Sequence, residues 1–384
     1  MTSLQEPHHA NNLRVLPVRN RKDLKRFIRV PWSIYAEDPC WIPPILFERK
    51  EHMSEKNPYF RHAKWQAWVA LRDGKAVGRI SAQVDQLRLD RFQDDTGLFG
   101  FLEAIDDPGV FRVLLETACD WLRGQGMKKV QGPFNFSIND ECGLLVDGFD
   151  SPPSVMMGHA RPYYTGRIDE LGYDKAKDLL AYQLNMDAAL PRAMRRLIDR
   201  SSEQVTVSPL RRTHLKQDIA TLRDLFNDAW ENNWGFVPFT EEEFDELGRT
   251  LVHLVDADLI QVAAVDGKPA AMIVALPNLN EAARDLNGRL LPLGWLKLLW
   301  RLKRHKLKTA RVTLMGVRQE YQTSRLGMTL AYKVINAVRV ALITKGVDEV
   351  EMSWILEDNK NMRHILESLG GVPYKRYRIY QKDI

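Results

Sequence analysis

The sequence is poor in cysteine and lacks long apolar runs. Its three cysteines, Cys40, Cys119 and Cys142, match no disulfide or zinc-ligand spacing, so we expect reduced thiols in a cytosol. No run of about 18 apolar residues predicts a membrane-spanning helix, and the first residues show no apolar core of a secretory signal. We therefore expect a cytoplasmic protein. Peripheral contact with the cytoplasmic face of the membrane stays open.

Several catalytic motifs are also missing. The sequence contains no Walker A loop, no HExxH, no CxxC pair and no GxSxG pattern. We therefore expect neither a metal nor a redox cofactor. The 45% hydrophobic and 27% charged fractions are those of an ordinary globular protein, and a chain of 384 residues predicts two domains with sizeable cores.

A repeated pattern organises the chain. An Asp-Gly turn lies between two β-rich runs at Asp73-Gly74 and again at Asp266-Gly267, about half the chain length further on. Around each turn the same order of elements is predicted: helix, hairpin, strand, helix, strand, helix, strand. This order predicts a duplicated α/β (α+β) fold, with mixed, mostly antiparallel sheets and helices on both faces.

The two predicted domains differ by their insertions. The first, 13–186, carries a polar inserted loop at 132–162, and the second, 200–384, carries a basic insertion at 278–308. Long insertions on a repeated scaffold are where function tends to lie. We therefore expect both insertions to contribute to the site.

The segment from Arg311 to Gly346 predicts a strand, a polar loop and a long helix. A helix entered directly from a strand presents free N–H groups and the positive end of its dipole, which together suit a diphosphate. Gly327 lets the backbone approach such a ligand closely. Arg325 could add a charge-assisted contact.

This segment resembles the acyl-CoA motif of the GCN5-related N-acetyltransferases (GNAT), Arg/Gln-x-x-Gly-x-Gly/Ala between a strand and a helix. Gln322 matches the first position and Gly327 the last, whereas Arg325 stands where the middle glycine is usual. Asn359 matches the family's second motif, an Asn before the last helix. In many members a Tyr on that helix protonates the leaving thiolate, and the matching residue here is Leu366.

The resemblance covers 200–384 well and 13–186 as a degraded copy without the phosphate loop, so it implies two tandem GNAT-like domains. It also implies an acyl-CoA-dependent N-acyltransferase, with acyl-CoA as co-substrate and an amine as acceptor. A backbone N–H near 316–318 would stabilise the oxyanion. The CoA-binding residues that it implies are Val317, Gln322, Ser324, Arg325, Gly327, Met328 and Asn359.

The polar inserted loop gathers carboxylates, a histidine and two tyrosines, the groups that acid–base catalysis needs. We predict Glu141 and His159 as candidate bases and Tyr163 or Tyr164 as the acid. The alternative is a surface loop with Asx turns and capping residues. The residues predicted to contact the acceptor are Asn139, Asp140, Tyr164, Asn232 and Trp234.

Residues 292–308 combine Lys and Arg on one helical face with Trp295, Leu296 and Leu299 on the other. Such a helix suits an anionic membrane surface and would fit a lipidic acceptor. The alternative is a helix packed on the protein with a solvated basic face. Charge alone favours nucleic acid, and because no binding motif supports it we do not expect a nucleic-acid partner.

In general layout these features resemble the tandem GNAT-like bacterial ceramide synthases, which acylate a long-chain sphingoid base. Tandem GNAT folds also include N-myristoyltransferases and the Fem-type aminoacyltransferases, so a tRNA-dependent aminoacyltransferase stays open. A small-molecule N-acetyltransferase stays open as well. Arg325 and Leu366 keep open a non-catalytic acyl-CoA-binding protein.

Overall fold

A computed structural model describes residues 12–199, 204–304 and 307–384, without the side chains of 250–254 and 303–304. Up to residue 186 the elements are β1 (Leu13–Pro17), α1 (Arg21–Arg29), α2 (Pro31–Ile34), α3 (Leu46–His52), a 3-10 turn (Pro58–Arg61), β2 (Ala63–Arg72), β3 (Lys75–Asp85), α4 (Gln86–Phe92), β4 (Thr96–Ala104), α5 (Pro108–Gly124), β5 (Lys129–Gly132), β6 (Phe134–Asn135), β7 (Glu141–Cys142), β8 (Leu144–Asp147), α6 (Tyr163–Asp169) and β9 (Asp174–Asn185).

The rest of the chain begins with a linker helix and repeats this order. Its elements are α7 (Arg192–Asp199), β10 (Val205–Pro209), a 3-10 turn (Arg212–His214), α8 (Leu215–Trp230), α9 (Glu241–Leu254), a 3-10 turn (Ala257–Leu259), β11 (Ile260–Val265), β12 (Lys268–Pro277), α10 (Leu279–Ala283), α11 (Gly294–Arg304), β13 (Thr309–Val317), α12 (Gln319–Gln322), α13 (Arg325–Lys345), β14 (Glu349–Leu356), α14 (Lys360–Ser368) and β15 (Val372–Asp383).

The predicted duplicated α/β fold is confirmed. The series α1, β2–β3, β4, α5, β5, α6, β9 in the first half corresponds to α8, β11–β12, β13, α13, β14, α14, β15 in the second. Both hairpins turn at Asp-Gly pairs with positive φ, 50° and 79° at Asp73 and Gly74, 48° and 78° at Asp266 and Gly267. Positive φ at both central residues is what a type I′ turn requires.

The two halves exchange their last strands. The sheet runs β1-β2-β3-β4-β5-β15-β9-β14-β13-β12-β11-β10, with β8 also paired to β15. Thus β9 pairs with β14 of the second half, and β15 pairs with β5 of the first. A division at 186–200 would cut through these pairings, so the domain bounds 13–186 and 200–384 remain a prediction about sequence organisation.

The longest helix, α13, packs on the sheet of the second half. Ser324 caps its N-terminus, and Gly346, with φ of 80°, ends it. Its length and mean hydropathy of 1.4 would suit a membrane span, but 44% of the apolar window is buried. The buried residues of α13, which include Leu330, Val334 and Val338, face the strands, so we identify α13 as a core helix.

The second-half insertion lies against the first half. Leu46 N–H donates to Gly288 O at 3.0 Å, and Trp32 Nε1 donates to Asn287 Oδ1 at 2.6 Å. Asn280 Nδ2 donates to Ser154 O of the polar inserted loop at 3.0 Å. The two insertions therefore meet, as expected if both contribute to one site.

Candidate acyl-transfer site

The candidate site begins where two parallel strands part. β13 and β14 pair up to Val312, which lies opposite Met352. After Val312 a bulge shifts the register of β13 on β12, and β14 continues toward β9. Among the strands that the structure describes, residues 314–317 therefore have a neighbour on one side only.

The open edge of β13 presents backbone N–H groups. Arg318 N–H donates to β12, so the alternation of an antiparallel pair turns the N–H and C=O of Met315 and Val317 away from β12. Trp230 Nε1 donates to the Met315 carbonyl at 2.9 Å. Gln322 Nε2 donates to the Val317 carbonyl at 2.8 Å. With both carbonyls satisfied by side chains, the N–H groups are left facing the opening, where an oxyanion could accept from them.

The N-terminus of α13 lies where an anion cradle was predicted, and the binding of a diphosphate there remains a prediction. Ser324 Oγ accepts from Gly327 N at 3.0 Å, whereas the N–H groups of Arg325 and Leu326 lie in the first turn, which has no intrahelical acceptors for them. A Cβ at position 327 would lie 2.0 Å from Tyr321 O. Only glycine therefore permits the tight loop that carries the cradle.

The other residues implied for CoA binding take several positions. The Gln322 side chain ties the loop to β13 and α8, while those of Arg325 and Met328 are exposed. Asn359 caps α14, and its Oδ1 accepts from Met362 N at 3.1 Å. Leu366 is fully buried, so that helix offers no phenol at this position. The assignments of these residues to CoA remain predictions.

The segment after α8 contacts the cradle loop through Gln319. Asn232 Nδ2 donates to Gln319 Oε1 at 2.7 Å, and Gln319 Nε2 donates to Glu231 Oε2 at 2.8 Å. The predicted acceptor residue Asn232 thus lies beside the candidate CoA site. Its contact with an acceptor remains a prediction.

Both predicted bases contact charged side chains inside the first half. Glu141 Oε1 lies 2.7 Å from Arg49 Nη2, and Asn135 donates to Oε2 at 3.0 Å. Burial raises the pKa of Glu141, but the Arg49 pair outweighs it and lowers the pKa to about 2. His159 Nε2 lies 3.0 Å from Asp38 Oδ2, and burial lowers the pKa of its imidazole. These surroundings favour structural roles, and a base role for either residue stays a prediction.

The two tyrosines also face the first half. Tyr163 OH donates to Ala104 O at 2.7 Å, and Tyr164 OH donates to Glu103 Oε2 at 2.8 Å. Tyr35 OH donates to the same carboxylate oxygen at 2.7 Å. Burial raises the pKa of Tyr163 to about 12 and that of Tyr164 well above its ordinary value. Tyr163 as the acid and Tyr164 as an acceptor contact remain untested predictions.

Two of the remaining predicted acceptor residues, Asn139 and Asp140, join the polar loop to neighbouring segments, and the third, Trp234, packs against β9. Asn139 Nδ2 donates to Val237 O at 2.9 Å. Asp140 Oδ1 lies 3.3 Å from His52 Nε2. Trp234 packs beside Lys177, whose Nζ lies 5.8 Å from its ring. The structure thus connects this loop to the 229–244 segment through Asn139, while contact with an acceptor stays a prediction.

A buried polar network that the sequence analysis missed lies where β13 and β14 part. Arg311 Nε donates to Ser353 Oγ at 2.8 Å, and its Nη1 donates to Val155 O of the polar loop at 2.9 Å. Ser353 Oγ donates to Glu351 Oε1 at 2.6 Å, and Tyr374 OH donates to Glu351 Oε2. The only available signal was the alternation of Glu351 and Ser353 with apolar residues along their strand.

The corresponding cleft of the first half is filled by its own chain. β4 and β5 also pair in parallel only at their start. Beyond that point Asn135 Oδ1 accepts from Phe101 N at 2.7 Å, and Gln83 Nε2 donates to Phe134 O at 2.8 Å. A Cβ at Gly100 would lie 1.8 Å from Phe134 O. The loss of the phosphate loop is therefore accompanied by a plug of residues 134–136.

Comparison with known proteins finds two relatives along almost the whole chain. The chain is 50% identical over 366 residues to protein YghO of Escherichia coli K12, covering 95% of this chain and 94% of that protein. It is 46% identical over 382 residues to the bacterial ceramide synthase of Caulobacter vibrioides, covering 97% and 98%. No protein-family model matches the chain.

Solved structures with the same fold are more distant in sequence. A tandem GNAT protein from the clavulanic acid biosynthesis pathway aligns with a TM-score of 0.57 at 14% identity, over 97% of this chain and 98% of that one. A GCN5-related N-acetyltransferase from Sphaerobacter thermophilus aligns with a TM-score of 0.52 at 11% identity, over 96% and 95%. Together with the strand order and the cradle at Ser324–Gly327, these comparisons mean that the chain belongs to the tandem GNAT-fold N-acyltransferases, in the family that contains the bacterial ceramide synthase of C. vibrioides.

Proposed function

We propose that the protein transfers an acyl group from acyl-CoA to the primary amine of a long-chain, sphingoid-type base and so forms a ceramide. The open edge of β13 beside the N-terminus of α13 carries this proposal, because it joins an oxyanion donor to a diphosphate cradle. The relative named bacterial ceramide synthase, 46% identical to this chain, supports the class of acceptor.

In the proposed reaction the amine nitrogen attacks the thioester carbonyl, the C–S bond breaks, and the leaving CoA thiolate takes up the proton that the amine gives up, which yields the free CoA thiol. The N–H groups of Met315 and Val317 would stabilise the oxyanion. The amine proton has to leave, and Glu351 is placed to take it because it pairs opposite Arg311, one residue before Met352, the last residue of β14 that pairs with β13. Ser353 and Tyr374, both donating to Glu351, would position that carboxylate.

The exposed side chains of α11 and the loop before it support a lipidic acceptor. Arg301 pairs with Asp285, and the helix turns its apolar side chains outward instead of burying them against the protein. Six large apolar side chains are between 43% and 78% exposed: Leu291, Leu293, Trp295, Leu296, Leu299 and Trp300. Soluble proteins rarely expose such a contiguous patch without a partner, and Trp and Leu suit a membrane interface.

The first half extends this surface. Phe47 on α3 is 66% exposed, and the neighbouring Leu46 contacts Gly288 in the loop before α11. Burial and, after it, the nearby charge of Arg289 lower the pKa of Arg29, so the two cations lie close together. An apolar surface with a positive rim fits an anionic leaflet, so we propose a cytoplasmic enzyme that docks on that membrane face. The end of this insertion, residues 305–306, lies outside the described residues.

The enzymatic proposal is tested with purified protein, palmitoyl-CoA and a long-chain 2-amino-1,3-diol. We expect release of free CoA thiol matched by an N-acyl product in mass spectra. Short-chain amines with acetyl-CoA serve as the comparison panel. Transfer only to small amines, or transfer only from aminoacyl-tRNA, would overturn the proposed substrate class.

Membrane docking is tested separately by flotation with vesicles containing phosphatidylglycerol. The Trp295→Ser/Leu299→Ser variant should float less than the unmodified protein. A matched control, Val340→Ser, removes an apolar side chain that is exposed on α13 and should float normally. Equal flotation of all three proteins would remove the support for docking through α11.

A further inference from the structure

An apolar groove lies between α13 and α14 on the sheet of the second half. The groove and the solvent space at its mouth together take up about 530 Å³. Its inner lining is aliphatic, and an apolar cavity of this kind takes apolar ligands in preference to water. Residues of the inner lining are Ile273, Val312, Ile335, Val338, Leu342, Val350, Met352 and Leu366.

The inner end of the groove coincides with the point where the strands part. Val312 and Met352 line the groove, and they are also the last residues that pair β13 with β14. A thioester carbonyl held by the N–H of Met315 would lie roughly 10 Å along β13 from Val312, three residues away, so a long acyl chain could run back from it to the groove. From there a chain could continue along Val350 without crossing a polar surface.

The groove lies on the donor face of the sheet. Because side chains alternate along a strand, Val312 and Met352 point to the opposite face from Arg311, Glu351 and Ser353. Helix α13, whose N-terminus forms the diphosphate cradle, packs on the groove face. The polar network assigned to the acceptor amine lies on the other face, so the groove suits the tail of the donor.

The chain between the halves covers the outer end of the groove. Asn185, Ala188, Ala189 and Leu190 line this end. Arg339 of α13 holds the segment in place, since its Nη2 donates to Met186 O and to Ala188 O, both at 2.7 Å. The groove thus has a narrow mouth between the linker and α13.

We propose that this groove binds the hydrocarbon chain of a long-chain acyl-CoA and sets the acyl length that the enzyme accepts. The inference rests on the proposed acyl-CoA-dependent function. The thioester would lie at the open edge of β13, the chain would pass Val312 and Met352, and its end would reach the linker near Ala188. A short acyl group would leave most of the groove empty.

The test is a chain-length profile. Val338→Phe fills the groove from inside, and Ala188→Trp fills it from the partly exposed mouth, where the risk to folding is lower. For both variants kcat/KM with palmitoyl-CoA should fall at least 10-fold, while kcat/KM with butyryl-CoA stays within 2-fold. Val340→Phe, on the exposed side of the same helix, should leave both values unchanged.

The outcomes separate this inference from the function on which it rests. If the unmodified protein transfers no acyl group from any CoA, the proposed function fails. If it does, and both filling variants lose palmitoyl and butyryl transfer equally, or lose neither, the groove does not hold the acyl chain. A rise in KM for the long-chain amine with an unchanged acyl profile would assign the groove to the acceptor and overturn the inference.

Discussion

Trp230 donates its indole N–H to the carbonyl oxygen of Met315 at 2.9 Å, on the edge of β13 that β14 has left. A side chain from α8 thus occupies the hydrogen bond that a neighbouring strand would otherwise make. This contact fixes the strand edge while leaving its N–H groups for a ligand.

Replacing Trp230 by Phe keeps the packing and removes the donor. A buried carbonyl left without a partner costs about 1–3 kcal/mol, so we expect a lower melting temperature and a more mobile strand edge. The kcat should fall several-fold because the oxyanion donors are less well held. Circular dichroism melts and steady-state kinetics measure the two effects, and an unchanged kcat would mean that the edge needs no such support.

Gly327→Ala should abolish the diphosphate cradle. The added Cβ would lie 2.0 Å from Tyr321 O, so the loop has to move. We expect at least a 10-fold loss of CoA affinity by calorimetry with little loss of helix content. Gly124→Ala, where a Cβ meets nothing within 4 Å, is the control. Equal CoA affinity in the two variants would mean that the cradle is elsewhere.

Glu351→Gln should lower kcat by about 10²-fold or more, the usual contribution of a positioned base, with acyl-CoA binding retained. The variant also leaves the buried Arg311 charge without its partner, so it should melt at a lower temperature, and kcat is measured below that temperature. Activity should partly return at high pH, where the amine loses its proton to solvent. Ser353→Ala, which removes one donor to that carboxylate, should have a smaller effect. A near-normal kcat for Glu351→Gln would exclude Glu351 as the base and return attention to Glu141 and His159.

Arg311→Met should be strongly destabilising. Arg311 is 1% exposed, and its Nε lies 3.6 Å from Glu351 Oε1. Removing one partner from a buried ion pair costs about 3–5 kcal/mol because the other charge stays buried. The double variant Arg311→Met/Glu351→Gln removes both charges and should recover part of that loss in urea unfolding. No recovery would mean that the other hydrogen bonds of Arg311, to Val155 and Ser353, dominate its contribution.

His62 joins the two halves, and we expect its titration to make the stability of the protein depend on pH. His62 Nδ1 lies 3.0 Å from Asp85 and its Nε2 lies 3.1 Å from Glu243 on α9. Burial lowers the pKa of His62, but the two carboxylates outweigh it and raise the pKa from 6.5 to about 9. Because the folded-state pKa is the higher one, its stabilising contribution is complete below pH 6.5 and is lost as pH rises through 9.

Melting temperatures measured between pH 6 and pH 10 test this prediction. This range includes the window from pH 6.5 to about 9 that separates the unfolded-state and folded-state pKa values of His62. The unmodified protein should lose stability across that window, and His62→Gln should lose much less. Parallel curves for the two proteins would contradict the raised pKa of His62.

Local signals were sufficient for the elements and their order. Asp-Gly pairs with the backbone freedom of type I′ turns predicted both hairpins, and the entry from strand to helix predicted the cradle at Ser324 and Gly327. The strand exchange could not be predicted from the sequence. Alternation along β9 and β15 indicates which faces are buried, but it does not indicate which strand pairs with each of them. That choice depends on contacts between residues far apart in sequence.

The site was predicted only in part for a related reason. Residue type singled out Glu141 and His159 as bases, but the sequence does not show that Arg49 and Asp38 lie beside them. Glu351 lies in a largely apolar strand, so its residue type and position did not predict a site residue. Folding nevertheless brings it close to the point where β13 and β14 part. The sheet decides which carboxylates lie near the open edge of β13, and composition does not reveal this. Which of these groups acts as the base remains a prediction.

We expect one acyl-CoA to bind each chain, at the edge of β13, because residues 134–136 plug the equivalent cleft of the first half. Calorimetric titration with a non-transferable thioether analogue of palmitoyl-CoA tests it most directly. The titration should show a single site per chain that is lost in Gly327→Ala and kept in Gly124→Ala. Two sites per chain, or a site that survives Gly327→Ala, would contradict it.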